Sequence, residues 1–173
     1  MNPTILTHVG NVFDFLRPEQ CLFAIEEIAH ALSHLCRFTG HTREFYSVAQ
    51  HSVHVSYLVP KEHALAGLLH DAAEAYLGDV ASPLKALLPA YQDIEAKVEQ
   101  SLLKSFGLDI HLPPSVKQAD MQILVTEMRD LMPSHVPCAM PGGFQPLPNV
   151  VITPWSSADA KRAFLARYKE LMS

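Results

Sequence analysis

With 173 residues, 49% hydrophobic and 18% charged, the chain has the make-up of one ordinary globular domain spanning residues 1–173. A formal net charge of −5 with scattered basic residues leaves no footprint for duplex nucleic acid. Three cysteines (Cys21, Cys36, Cys138), odd in number and without metal-type spacing, point to reduced thiols and a cytoplasmic setting, and neither an export signal nor a membrane span is expected.

Residues 1–20 place Val12, Phe13, Phe15 and Leu16 between Gly10 and Pro18 and read as a strand or loop packed on the body. From Ile25 to Cys36 the residues Ile25, Ile28, Ala29, Leu32 and Leu35 recur at helical spacing, with Glu26 and Glu27 in the first turn where the helix dipole favours acids. Arg37–Tyr46 breaks that period around Gly40 and gathers two Arg, one His and three aromatics into a loop able to meet a ligand. Ser47 is placed to cap a second helix whose stripe Val48, His51, Val55 and Leu58 turns His51 inward. Pro60 opens a third helix, expected to run to about Leu77 and to stop at Gly78. Ala81–Pro89 reads as a turn with a short helical piece, and residues 90–106 as a fourth helix with Ile94, Val98, Leu102 and Phe106 on its apolar face, ended by Gly107. A fifth helix from Pro114 to Met132 carries Val116, Ala119, Ile123, Leu124 and Met128, with Asp120 between them and expected buried.

Pro133–Pro154 holds six prolines and Gly142-Gly143, which cannot sustain a helix and read as an ordered surface loop or partner arm. A last helix begins at Ser156 or Ser157 and packs back through Phe164, Leu165, Tyr168 and Leu171 or Met172, with Trp155 as its anchor. The expected architecture is an all-α bundle of about six helices with a proline-rich loop before the last. The apolar tracts of that loop suggest a homo-oligomer, a dimer or a higher assembly.

Leu68–Lys85, LLHDAAEAYLGDVASPLK, is unusually dense in metal-capable groups. His70 and Asp71 follow the apolar run ALAGLL where core residues would otherwise stand, and Glu74 lies one turn on, so that the three side chains can converge. His51, His70, Asp71 and Asp120 come from three separate expected helices, each at a position with apolar helical neighbours. A single buried histidine is ordinarily a hydrogen-bonded core residue. Burying two imidazoles and several carboxylates together, however, is too costly without a shared partner, and a divalent cation is the partner that suits them. Mixed nitrogen and oxygen ligation fits Mn, Fe, Co, Ni, Zn or Mg without selecting among them.

The order of His51, His70-Asp71 and Asp120 resembles the HD-domain superfamily of metal-dependent phosphohydrolases, which are all-helical. HDAAEAYLGDVASPLK is similar to the HD-x-x-E-x-x-x-G-D-x-x-[TS]-P-x-K block of its 5′-deoxynucleotidase-like branch, and VKQAD at residues 116–120 resembles that branch as well. The segment AHALSHLCRFTGHTREFYSVAQHS resembles the compact bacterial and phage members, which include deoxynucleoside triphosphate hydrolases, some specific for dATP. The resemblance covers roughly residues 20–130. It implies that His51, His70, Asp71 and Asp120 ligate the metal, while Glu74 and Asp79 orient or deprotonate the attacking water or help hold a second ion.

Phosphate charge also needs cations from the protein, and Lys85, Arg37 and Arg43 are the candidates. Phe23, Ile25 and Pro83 could line a base pocket, although core packing is the competing role for the first two. His41 could reach phosphate or a loop partner, His54 is read as a supporting or packing residue, and His30, His34, His63, His111 and His135 lack acids at ligand spacing. The expectation is a phosphohydrolase of deoxynucleotides, leaning to triphosphates. The rivals are a 5′-deoxynucleotidase acting on monophosphates, a non-catalytic nucleotide and metal sensor, and a di-iron oxygen-dependent enzyme, which would want more histidine ligands.

Overall fold

The computed structural model describes residues 3–133 and 143–173. The middle of the proline-rich passage, with His135 and Cys138, lies outside the described residues, as do residues 1–2. The described chain is all-α apart from one small hairpin. Strands β1 (Thr4–Leu6) and β2 (Val12–Asp14) pair antiparallel in the register Ile5 opposite Phe13. Phe13 is the residue of the hairpin that enters the core, and its ring stacks on Tyr76 at 4.2 Å.

Helix α1 (Ile25–His34) is followed by the 3₁₀ segment Arg37–Gly40 and then by α2 (Val48–Leu58), whose first turn is closed by Ser47 accepting from the Gln50 N–H. Helix α2 is the centre of the molecule. Val48, Ala49, Gln50, His51, Ser52, Val53, Val55 and Ser56 are all buried, so it is covered on nearly every side, whereas Leu58, expected on its inner stripe, is 38% exposed at the outer end. The remaining helices are α3 (Ala64–Leu69), α4 (Glu74–Leu77), α5 (Ser82–Lys85), α6 (Pro89–Ser105), α7 (Pro114–Leu131) and α8 (Ser157–Leu171). Helices α6 and α7 begin with proline, which needs no N–H partner there, and Ser156 caps α8 by accepting from the Asp159 N–H.

The third helix expected over residues 60–77 is not continuous. A 3₁₀ turn at Lys61–His63 precedes α3, and the helix is interrupted between Leu69 and Glu74. The cause lies in a side chain: Nδ1 of His70 pairs with the Gly67 carbonyl at 2.9 Å, taking the acceptor the next helical N–H would use. The backbone tightens in response, with Ala72 N bonding to Leu69 O and Glu74 N to Asp71 O, three residues apart instead of four. Gly78 then ends α4 with φ of 81°, a left-handed conformation that favours glycine.

Apolar packing divides into two clusters. One joins α1, the start of α2, α3, α6 and α8 through Ile28, Leu32, Leu68, Leu102 and Phe164, and the other joins the far end of α2 to α7 through Val55, Val116, Ile123 and Ile152. Met172, expected to share the packing face of the last helix, is 58% exposed, so Leu171 takes that place. Gly67 lets α3 lie close on α2: a Cβ there would meet Val59 Cγ2 at 3.1 Å and Ser56 Cα at 3.2 Å. Gly67→Ala is therefore expected to overpack this contact and cost about 1–3 kcal/mol. Urea unfolding of the two proteins measures it, and an unchanged midpoint would show that the contact yields freely.

Candidate metal centre

Three elements meet at the junction of the two apolar clusters. Helix α2 brings His51, which is fully buried; the break after α3 brings His70 and Asp71; and α7 brings Asp120 from its second turn. Nε2 of His51 lies 3.3 Å from Nε2 of His70, 3.3 Å from Oδ1 of Asp120 and 3.5 Å from Oδ2 of Asp71, and Nε2 of His70 lies 3.2 Å from that same Oδ2. His51, His70 and Asp120 are close enough to hold a metal ion, their donor atoms all lying within 4.8 Å of one another. The oxygen of Asp71 stands beside them.

The orientation of the rings supports that fit. Nδ1 of His51 lies 2.7 Å from Oε1 of Glu127, and Nδ1 of His70 lies 2.9 Å from the Gly67 carbonyl, so each Nδ1 faces an acceptor and each Nε2 is left to the centre. With each Nδ1 engaged by an acceptor, the two Nε2 atoms and the carboxylate oxygens face a common point, an arrangement that a cation satisfies.

Charge at the centre is strongly coupled. Burial, the largest influence on His51, lowers its pKa and Arg37 acts the same way, but Glu127 and Asp120 outweigh both and bring it up to about 9. Against the upward push of burial, His70, His51 and Arg37 hold Asp71 well below the ordinary carboxylate range, and His51, His70 and Lys117 do the same for Asp120. Glu74 moves the other way. It is 8% exposed, its Oε2 has no partner among the described residues, and burial, then Asp71 and Asp79, raise its pKa well above the usual value. Burial raises that of Asp79 as well.

The centre opens into a cavity of about 690 Å³, lined on its polar side by Arg37, Asp71, Glu74, Asp79, Lys85 and Asp120. A smaller recess of about 150 Å³ joins His70, Asp71 and Glu74 to Lys85, Glu95 and Glu99. Of the remaining sequence candidates, Pro83 lines the large cavity, and Lys85 does so while donating to Glu95 at 2.6 Å. The other three stand apart from it. Phe23 and Ile25 pack against the main core, Phe23 edge-on to Phe13 and Tyr76, because α1 approaches the hairpin and α4 and not the cavity. Arg43 points to the end of α7 and donates to the Asp130 carbonyl at 2.8 Å. The apolar wall is built instead by Phe38, Val80, Met121, Leu124 and Met128. Phe38 and Thr39 both have φ of 54°, a left-handed conformation that costs about 1–3 kcal/mol per non-glycine residue. His41 is exposed, and His54 sits beside Trp155, whose N–H donates to Gln50.

The residue that sequence reasoning passed over is Glu127. It stands seven residues after Asp120 on α7, on the same face two turns along, and it is fully buried. That spacing was the available signal. Lys117, one turn before Asp120 and 2.8 Å from its Oδ2, was also passed over.

The fold and the site define a small all-helical protein with a buried histidine and carboxylate centre able to hold a metal ion. No family model matches the chain. It is 45% identical over 127 residues to the uncharacterized protein YfdR of Escherichia coli (strain K12), covering 73% of this chain and 71% of that protein, and it belongs to the same family as YfdR. It is also 36% identical over 120 residues to an uncharacterized protein of Rhodobacter capsulatus, covering 64% of this chain and spanning 61% of that protein. Among the described residues no helix is long and apolar enough to cross a membrane.

The shifted His51 sets an expectation for pH. In the metal-free protein its folded pKa of about 9 stands above the ordinary 6.5, so the stability it contributes is complete below about 6.5 and lost as pH rises through about 9. A metal must displace that proton, so apparent affinity should rise by about tenfold per pH unit up to about pH 9. Melting temperatures of chelator-stripped and Mn-loaded protein, compared from pH 6 to 9, should diverge with rising pH; a constant gap would mean that metal binding displaces no proton from His51 in this range.

Proposed function

We propose that this protein is a metal-dependent phosphohydrolase of the HD-domain type, acting on deoxynucleotides and preferring triphosphates. The observation that carries the reading is the convergence of His51, His70, Asp71 and Asp120 at the edge of a cavity that also gathers Glu74, Asp79, Arg37, Lys85 and Lys117. Carboxylates able to move protons and cations able to hold phosphate are thus brought to one place. The volume of about 690 Å³ suits a nucleotide.

His51, His70, Asp71 and Asp120 would hold the ion. When bound, a divalent ion there neutralises phosphoryl charge and makes a coordinated water acidic enough to attack near neutral pH. Glu74 is the residue best placed for proton transfer: it is buried in the cavity wall with a free oxygen, and its raised pKa lets it take a proton from water and return one to a leaving oxygen. Asp79 lines the same cavity and can orient the attacking water. Arg37 and Lys117 offer positive charge on the same cavity wall as Asp120, and Lys85 keeps donors beyond the one it gives to Glu95. Phe38 with Met121, Leu124 and Met128 forms an apolar wall against which a base can lie.

The test is direct. Protein loaded with Mn, Co or Zn is incubated with each dNTP and dNMP, and the products are resolved by ion exchange. Release of triphosphate and deoxynucleoside is expected from at least one dNTP. Orthophosphate from monophosphates alone would make the protein a 5′-deoxynucleotidase, and tight nucleotide binding without turnover would make it a sensor. Glu74→Ala should keep its metal and lose about 10²–10⁴-fold in turnover, while Asp71→Ala should lose both. An active Asp71→Ala variant would remove the mechanism.

A further inference from the structure

We propose that Glu127 is a positioning residue that joins the metal centre to the phosphate-facing wall: one carboxylate oxygen fixes His51 as an Nε2 ligand, and the other fixes the Arg37 guanidinium. The proposal rests on the metal centre described above and assigns the residue that sets its affinity. Oε1 of Glu127 lies 2.7 Å from His51 Nδ1 and also accepts from the Tyr46 hydroxyl at 2.8 Å, and Oε2 accepts from Nε of Arg37 at 3.2 Å. His51, Tyr46 and Glu127 are fully buried, so these bonds are shielded from water.

An ionised carboxylate only accepts hydrogen bonds, so it selects the His51 tautomer with its proton on Nδ1 and leaves Nε2 for the ion. His70 is held in the same tautomer by a neutral carbonyl. The two imidazoles therefore differ in the strength of their support, and the carboxylate-backed ring is the more basic ligand. Bonded through Nε, Arg37 keeps its outer N–H groups on the cavity side, with Nη1 3.6 Å from Asp71. A guanidinium fixed along one edge presents the other to an anion without first having to be ordered. Glu127 thus couples ion and anion binding although it lines neither the large cavity nor the smaller recess.

The competing role is that Glu127 only balances the buried charge of Arg37. That role predicts lost stability and unchanged metal affinity in whatever protein remains folded. The test uses Glu127→Gln in the full chain, with folding checked by circular dichroism, stripped by chelation and titrated with Co²⁺ against a chromophoric chelator. The affinity should fall by about 10–100-fold. Inorganic triphosphate should bind the Co-loaded variant at least about tenfold more weakly, as expected when a charge-assisted bond no longer orders Arg37. Tyr46→Phe, which removes a Glu127 partner but spares the His51 bond, should leave Co²⁺ affinity near the parent value.

A folded Glu127→Gln variant with parental Co²⁺ affinity overturns the proposal. So does ¹⁵N-histidine NMR of the Zn-loaded parent if it shows His51 ligating through Nδ1, and that measurement decides the matter even where the variant does not fold. A parent that binds no divalent ion removes the centre and this proposal together, whereas a parent that binds ions without hydrolysing nucleotides removes only the reaction.

Discussion

The structure depends on the burial of opposing charges at one helical junction. His51 on α2 and Glu127 on α7 are fully buried, with Arg37, Asp71, His70 and Asp120 a few ångströms away at the cavity edge. Taken singly, each buried ionised group would cost several kcal/mol. Here each has an opposite or hydrogen-bonding partner, and the shifts follow from that pairing: acids beside His51, His70 and Arg37 are driven down, and His51 beside acids is driven up. Glu74 and Asp79, which form no ion pair with these cations among the described residues, are driven up by burial instead, against the opposing pull of Arg37. One junction therefore holds two kinds of carboxylate, one kept charged by its cationic partners and one whose hold on a proton is strengthened by burial, which is the division acid–base chemistry needs.

Packing serves this junction. Helix α2 is buried on almost every side, so His51 has little freedom to move; Gly67 lets α3 pack close on α2, and its carbonyl, three residues before His70, orients that ring. The helix break at His70 is part of the same device. By taking the Gly67 carbonyl, the imidazole ends α3 and re-aims the chain, so that Glu74 opens a new one-turn helix facing the cavity. The strained residues Phe38 and Thr39 follow Arg37 in sequence, and Arg37 and Phe38 both line the cavity wall.

The helices were largely legible in the sequence, because the apolar spacing in residues 25–36, 90–106 and 114–132 and the caps at Ser47 and Ser156 are local signals. The groups gathered at the centre were legible for a related reason: His51, His70, Asp71 and Asp120 are polar residues at positions where the helical period calls for apolar ones. The break at His70 was not legible, since residues 68–77 run LLHDAAEAYL without proline or glycine, and the interruption comes from a side-chain bond. Phe23 and Ile25 were candidates for a base pocket because such pockets have flat apolar walls, but apolar character does not separate a pocket wall from core, and Phe23 packs edge-on to Tyr76 while both residues join the main core.

Glu127 shows the limit most plainly. It lies in TEMRD, beside Arg129 and Asp130, a stretch whose charges resemble a solvated helix end. Nothing local separates the buried acid from the partly exposed ones. What separates them is position relative to Asp120, which only matters once Asp120 is taken as facing inward. Seven residues along an α-helix return to the same face, so an inward Asp120 carries Glu127 inward with it, and an inward acid must find donors. His51 and Tyr46, from the far side of the junction, supply them. The period of α7 and the cost of an unpaired buried carboxylate together lead to the contact, so a metal-facing acid on a helix is a reason to examine the residue two turns along.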